Sequence, residues 1–286
     1  MEQVIYKNTW NSSSYTSFLM LGSILRKLEI SFEDFISGRS TISKTSLREA
    51  LCDVPCEELI PLWESGSGLC TSFSLCVAAR IESQNYPSTF TVAELRGHRA
   101  SFNQRGVVID SSARQALTLQ KQPVKAYKGT WKMERPEESA PVLLFKPSKS
   151  NTFSPFCPLK DRCEGMKACL LQLASQSTFI CMFRMEEYNQ LGFNGRITYK
   201  SQERKITWSQ VRFNPSTKRQ QFFESVVDFS VPGDKETMIS YAAEFRGFCE
   251  DRARIQQYEI VKPFLAKLWD TCIEELGYGN CYGVWL

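Results

Sequence analysis

Histidine is almost absent from this chain: of 286 residues only His98 carries an imidazole. Any chemistry near neutral pH that needs that ring must use this one position. Zinc sites built from two cysteines and two histidines are excluded for the same reason. The eleven cysteines are odd in number and include no Cys-x-x-Cys, so neither a zinc ribbon nor a disulfide framework is indicated. There is no block of five or six Lys/Arg, and 35 basic against 31 acidic residues leave a net charge of only +4. A dedicated nucleic-acid surface is therefore not expected. The apolar run Phe18-Leu19-Met20-Leu21-Gly22-Ser23-Ile24-Leu25 is too short to span a bilayer. The first residues lack a basic segment followed by an apolar run, so the expectation is a cytoplasmic protein without membrane attachment, its thiols reduced and mostly buried. Phosphate-binding and nucleophile-elbow signatures (Gly-x-x-x-x-Gly-Lys-Ser/Thr, Gly-x-Gly-x-x-Gly after a strand, Gly-x-Ser-x-Gly) are missing. Glu57-Glu58, Glu137-Glu138 and Glu186-Glu187 read as solvated faces rather than acid/base pairs.

What is present is a chain able to bury a real core: 42% hydrophobic residues, including nineteen Phe, ten Tyr and six Trp. Residues 1–63 read as a helical N-terminal subdomain. Phe18, Leu19, Leu21, Leu25 and Leu28 recur at helical spacing within 14–28, a further helix starts at Ser31, and Ser46-Leu47-Arg48-Glu49 has the form of a capping box. Pro55 then opens a short helix towards Trp63. A Gly/Ser loop, 64–68, leads into a helix from Cys70 to Ser83 that is apolar nearly all round, the mark of an element central to its domain. Runs at 89–95, 98–102, 107–109, 116–119, 124–131 and 142–145 have β character, so a helix followed by an antiparallel meander is expected. Residues 134–155 look loop-like, which suggests two portions, 1–135 and 136–286. The second portion shows a helix over 159–175 with Met166, Cys169, Leu170 and Leu173 in one stripe. Strands follow at 178–185 and 204–213, with a third near 196–199. A long helical stretch is capped by Asp234 and runs to Leu276, with a break at Cys249-Glu250 or Pro263. The fold class is α+β.

Three residues carry the chemistry. Cys70 opens the central helix, where the helix dipole favours a thiolate. His98 opens one strand, and Asp110 follows the next. If 103–106 is the turn between them, His98 and Asp110 sit near one end of adjacent strands. In that arrangement Cys70 attacks, His98 takes and returns the proton, and Asp110 orients the ring. Gly66 and Gly68 let the backbone approach a substrate, and Ser67, Gly68 and Leu69 form the loop beside it. The Cys70 N–H is a natural oxyanion donor, and Ser65, Ser67 and Trp63 are candidates for supplying a second.

The order of Cys at a helix start, then His and Asp on neighbouring strands, resembles the transglutaminase-like superfamily within the papain-like fold. It is most similar to the transglutaminase core and the arylamine N-acetyltransferases, which also place a helical segment before the nucleophile. The resemblance covers residues 15–131, with the motif confined to 66–112. It implies a papain/transglutaminase-like core and a Cys70-His98-Asp110 acyltransferase working through an acyl-thioenzyme intermediate. A small-molecule or peptidyl acyl donor, an amine or water acceptor and no resident cofactor are implied with it. Ser65-Gly66-Ser67-Gly68 stands where the acetyltransferases carry Arg-Gly-Gly, the His-to-Asp interval is tighter, and the aromatic after the histidine is displaced to Phe102. Acetyl-CoA use and calcium-dependent crosslinking are therefore not implied. Two other readings stand beside it: a cysteine peptidase or amidohydrolase, and a non-catalytic binding module in which Cys70 is a core thiol like Cys76. Cys281, in the Gly-rich aromatic tail, is the other candidate for a reactive thiol.

Overall fold

The computed structural model describes residues 1–84, 90–95, 98–103, 107–109, 111, 117–119, 131–135, 138–145, 158–184, 193–214, 219–231, 233–252 and 255–275. In chain order the elements are α1 (Glu2–Ser12), β1 (Tyr15–Thr16), α2 (Phe18–Lys27), α3 (Phe32–Ile36), α4 (Lys44–Cys52), α5 (Cys56–Leu59), α6 (Pro61–Glu64) and α7 (Cys70–Glu82). Six strands follow: β2 (Phe90–Leu95), β3 (His98–Asn103), β4 (Val107–Ile109), β5 (Leu117–Leu119), β6 (Trp131–Arg135) and β7 (Glu138–Phe145). The chain continues through α8 (Pro158–Leu173), β8 (Thr178–Arg184), β9 (Phe193–Lys200), β10 (Lys205–Asn214), β11 (Arg219–Asp228), α9 (Lys235–Arg252) and α10 (Ile255–Glu275). The class is α+β, with two antiparallel sheets in the orders β2-β3-β4-β5-β6-β7 and β1-β8-β9-β10-β11.

Contacts group the chain into two units of interleaved segments: Met1–Ser13 with Pro55–Cys169, and Ser14–Val54 with Leu170–Leu286. Composition pointed instead to one division after residue 135 and to a helical subdomain over 1–63. The physical reason for the difference is long-range pairing. Tyr15 and Thr16, expected within a helix, form an edge strand opposite Met182 and Cys181. Ser17 extends the tie, its N–H donating to the Ile180 carbonyl at 2.8 Å while its Oγ accepts from the Ile180 N–H at 2.8 Å. Residues 14–54 thus belong with the C-terminal sheet, while α1 belongs with α7.

The first unit is centred on α7, which buries Phe73, Val77, Ala78 and Ile81 against Tyr6 and Trp10 of α1 and against Phe90 and Ile109 of the sheet. Phe73 meets two rings edge to face, Tyr6 at 5.1 Å and Trp10 at 5.9 Å, while Tyr6 and Trp10 stack on each other at 6.1 Å. The meander is longer than expected. Glu134, Arg135 and 138–141, read as loop from their charge and prolines, lie in β6 and β7. Pro141 is tolerated because β7 is a sheet edge and the pairing shifts register at Glu134, opposite Pro141. The expected strand over 124–131 lies outside the described residues save Trp131, which begins β6.

In the second unit, alternation decides which face is core: Phe179, Cys181 and Phe183 of β8, Ile197 and Tyr199 of β9, and Ile206 and Trp208 of β10 are all buried. Trp269 of α10 sits among Phe245 (5.3 Å), Phe229 (5.6 Å) and Trp208 (6.2 Å). The expected stripe Met166, Cys169, Leu170, Leu173 on α8 is buried. Asp234 does cap α9, accepting from the Thr237 N–H at 2.8 Å. Neither expected break is found: Cys249-Glu250 lies inside α9 and Pro263 inside α10. At α4 the expected capping box fails by one turn. Ser43 is the cap, its Oγ accepting from the Ser46 N–H at 3.2 Å, because Lys44 and Thr45 join the helix ahead of Ser46. Among the described residues, no helix is long and apolar enough to cross a membrane.

Candidate active site

The site is built from the turn that precedes α7. Trp63 lies in the single turn of α6, and the Gly66 N–H donates to its carbonyl at 2.9 Å. Gly66 and Gly68 then take φ of +75° and +136°, a region that side chains resist. At Gly66 there is no room either, since a Cβ there would stand 2.5 Å from Thr9 Cγ2 and 3.4 Å from Cys76 Sγ. Between the glycines, Ser67 is buried and its N–H is taken by Ser65 Oγ at 3.1 Å. Leu69, extended at φ −85° and ψ −174°, is the N-cap, and its carbonyl accepts the first helical bond from the Phe73 N–H at 3.2 Å. Cys70 is therefore the first helical residue, as expected, and is 5% exposed.

Arg80, further along α7, fixes the approach to this turn. Its guanidinium donates to Thr9 Oγ1 at 2.9 Å and to the Glu64 carbonyl at 3.1 Å. The same carbonyl accepts from Cys76 Sγ at 3.3 Å, and burial pushes the Cys76 thiol up to about 11. Cys76 is a protonated structural thiol, the role expected of it.

The first turns of α7 are unusual in burying hydroxyls: Thr71, Ser72 and Ser74 are at most 1% exposed. Ser74 shares a helix face with Cys70, four residues earlier, and its Oγ donates to the Ile109 carbonyl at 3.2 Å. The sequence reading passed over this bond. Its signal was a serine in a largely apolar, buried helix, because a buried hydroxyl usually has a partner.

Ile109 pairs with Ser101 across β3–β4. Antiparallel pairing then sets the end of β4 and the start of β3, where His98 stands opposite Leu95, at the same end of the sheet. Along β3, positions 98, 100 and 102 alternate with Ser101, which is buried on the face of Ile109. His98 is described by its backbone, and Asp110 lies outside the described residues. The structure thus brings the Cys70 helix, the strand that His98 opens and the strand that precedes Asp110 to one place. Ser67, Gly68 and Leu69 form the turn that enters α7 at Cys70. Cys281 lies outside the described residues. Among the described residues, no cluster of His, Cys, Asp and Glu could hold a metal ion. Compared with protein-family models, curated proteins and solved structures, the chain has no match.

Proposed function

We propose that this chain is a cysteine-dependent acyltransferase with a papain/transglutaminase-like core, in which Cys70 is the nucleophile, His98 the base and Asp110 the orienting carboxylate. One observation carries the reading: the helix that Cys70 opens is hooked through Ser74 to Ile109, the residue before Asp110, on a strand paired with the one His98 opens. A thiol at a helix start, behind a turn only glycines can make, is placed for attack on a carbonyl. In the proposed cycle His98 takes the Cys70 proton and the thiolate adds to the acyl carbon. The Cys70 N–H receives the developing oxyanion, and the leaving group departs with the proton from His98. An amine, or water, then attacks the thioester with His98 again as base. Donor and acceptor are a small molecule or a peptide.

The proposal carries two geometric requirements. Antiparallel pairing must continue one step past Ser101–Ile109, which would bring Asp110 opposite Ala100 and onto the strand face of position 98. His98, at the first position of β3, must also reach the start of α7 round the end of the sheet, since position 98 alternates with Ser101.

Iodoacetamide labelling of the native chain, followed by peptide mapping, tests the reading. Cys70 is expected to react first among the cysteines, and His98→Ala to slow it without changing the labelling of Cys52. Incubation with a panel of acyl thioesters should leave an acyl adduct on Cys70 that amines or water discharge. Cys70→Ala should abolish that adduct. The 5% exposure of Cys70 favours a second reading, a non-catalytic module with a core thiol at this position. Labelling of Cys70 as slow as that of Cys76 would establish it and sink the enzyme.

A further inference from the structure

The sheet of the second unit ends in a strand whose outer edge is open. β11 closes the order β1-β8-β9-β10-β11, and among the described residues no strand pairs with the edge it turns away from β10. The phase of the ladder is fixed at Phe229, whose N–H donates to the Arg204 carbonyl at 3.0 Å, one step beyond the pair Lys205–Asp228. Backbone groups alternate in direction along a strand. Those of 223, 225 and 227 therefore turn to β10, and those of 220, 222, 224, 226 and 228 turn outward. Native sheets guard such edges with short strands, prolines or lysines. Arg219–Asp228 is 10 residues long and contains neither proline nor lysine. It also exposes Phe223 (42%) and Val226 (46%). Three residues apart, these lie on opposite faces, Phe223 on the side where Ser225 Oγ donates to Glu244 of α9 at 2.6 Å. A helix or a ligand resting on one face would cover one of them, whereas a strand added to the edge covers both.

We propose that β11 is a homodimer interface, pairing antiparallel with β11 of a second copy about a two-fold axis normal to the sheet. Such an axis sets one residue opposite its own copy, and charge and coverage leave one choice. Centred on Glu224, the pairing opposes two carboxylates. Centred on Ser225, it sets Glu224 against Val226, and centred on Val226 it sets Glu224 against Asp228. Centred on Phe222 or earlier, it leaves Val226 beyond the end of the added strand; centred past Val226, it leaves Phe223 there. Centred on Phe223, it pairs that ring with itself, sets Val226 against position 220 and puts Glu224 opposite position 222, away from every acidic residue of the other strand. The outward backbone groups of 220, 222, 224 and 226 then meet those of 226, 224, 222 and 220. Both open edges close at once, and one continuous sheet runs through the two copies. Phe223 falls at a position whose backbone bonds go to β10, so the two rings meet at a site without backbone bonds between the copies, where side chains come closest.

Sedimentation velocity of the full, reduced chain over a concentration series tests this. The expected species has twice the 32.8 kDa of one chain. Phe223→Lys sets two ammonium groups against each other on the axis, and should hold the mass at that of one chain at every concentration while leaving the melting curve unchanged. The register is read with Phe223→Cys and Val226→Cys, each oxidised mildly and mapped by mass spectrometry. Phe223→Cys should give a peptide linked through the new thiol of both copies, and Val226→Cys, opposite position 220, should not. A wild-type chain that stays monomeric throughout would overturn the proposal and leave the edge to a foreign strand. A dimer that survives Phe223→Lys, or one that links through Val226→Cys and not through Phe223→Cys, would overturn it as well. The wild-type mass and the cysteine pair decide the matter even if Phe223→Lys fails to fold. None of these measurements reads activity, so the outcome is independent of the role of Cys70.

Discussion

Replacing Ser74 with alanine cuts the bond that ties the face of α7 that Cys70 shares to the end of β4, from Ser74 Oγ to the Ile109 carbonyl at 3.2 Å. A buried neutral hydrogen bond contributes about 1 kcal/mol net, and more when its partner is left in a dry site, so the loss should be about 1–2 kcal/mol. Ser72, two residues away on the same helix, is the internal control. It is 0% exposed, and its Oγ has no hydrogen-bond partner among the described residues. Burying a hydroxyl without a partner costs about 1–3 kcal/mol on protein scales, so Ser72→Ala should be neutral or stabilising. The two substitutions remove the same atom from the same helix and should separate by about 2 kcal/mol, roughly thirtyfold in the folding equilibrium. Urea unfolding followed by tryptophan fluorescence measures this as a midpoint lowered in Ser74→Ala and unchanged or raised in Ser72→Ala, at equal slope. Equal losses in both would refute the reasoning, because the Ser74 bond would then carry no stability of its own.

Gly66→Ala combines a φ of +75° with a Cβ 2.5 Å from Thr9 Cγ2. It should cost about 2 kcal/mol or more, with a lower melting temperature and faster iodoacetamide labelling of Cys76, whose sulfur lines that contact. Asp234→Ala removes the cap of α9 and should lower the melting temperature. The Thr237 N–H holds the Asp234 carboxyl below its ordinary value of 3.8. Its stabilisation is therefore fully present above that value and is lost as pH falls through the lower, folded-state pKa. Melting curves of wild type and variant should accordingly converge in acid and stay apart at neutral pH.

The elements legible in the sequence were those whose pattern is local and strong. The α7 helix was legible through its apolar run after two glycines, α8 through its Met166–Leu173 stripe, and β8 through the alternation of Phe179, Cys181 and Phe183. What escaped was set by partners far along the chain. Tyr15 and Thr16 sit directly before a strongly apolar helix and look like its first turn; only Met182 and Cys181 opposite them make a strand. The strand β11 begins Arg219-Gln220-Gln221 and offers little alternation, yet all ten of its residues pair with β10. At the site, a helix start shows itself in sequence, so Cys70 was found. The Ser74–Ile109 bond joins positions 35 apart, and such a distance leaves no trace in a local pattern.

The interleaving of the two units has a consequence for how the protein is made. Residues 14–54 emerge from the ribosome early, but the strand that completes their sheet contact follows much later: Ser17 and Ile180 are 163 positions apart. At about 5–20 residues per second the wait is roughly 10–30 s. Through that interval the apolar face of α2, with Phe18, Met20, Leu21, Ile24 and Leu25 all buried in the finished fold, has no native cover from the C-terminal segments. Contacts of such long range also close slowly even in the complete chain. The nascent polypeptide is thus most exposed to misassembly at the very stretch that looks, in isolation, like an ordinary amphipathic helix.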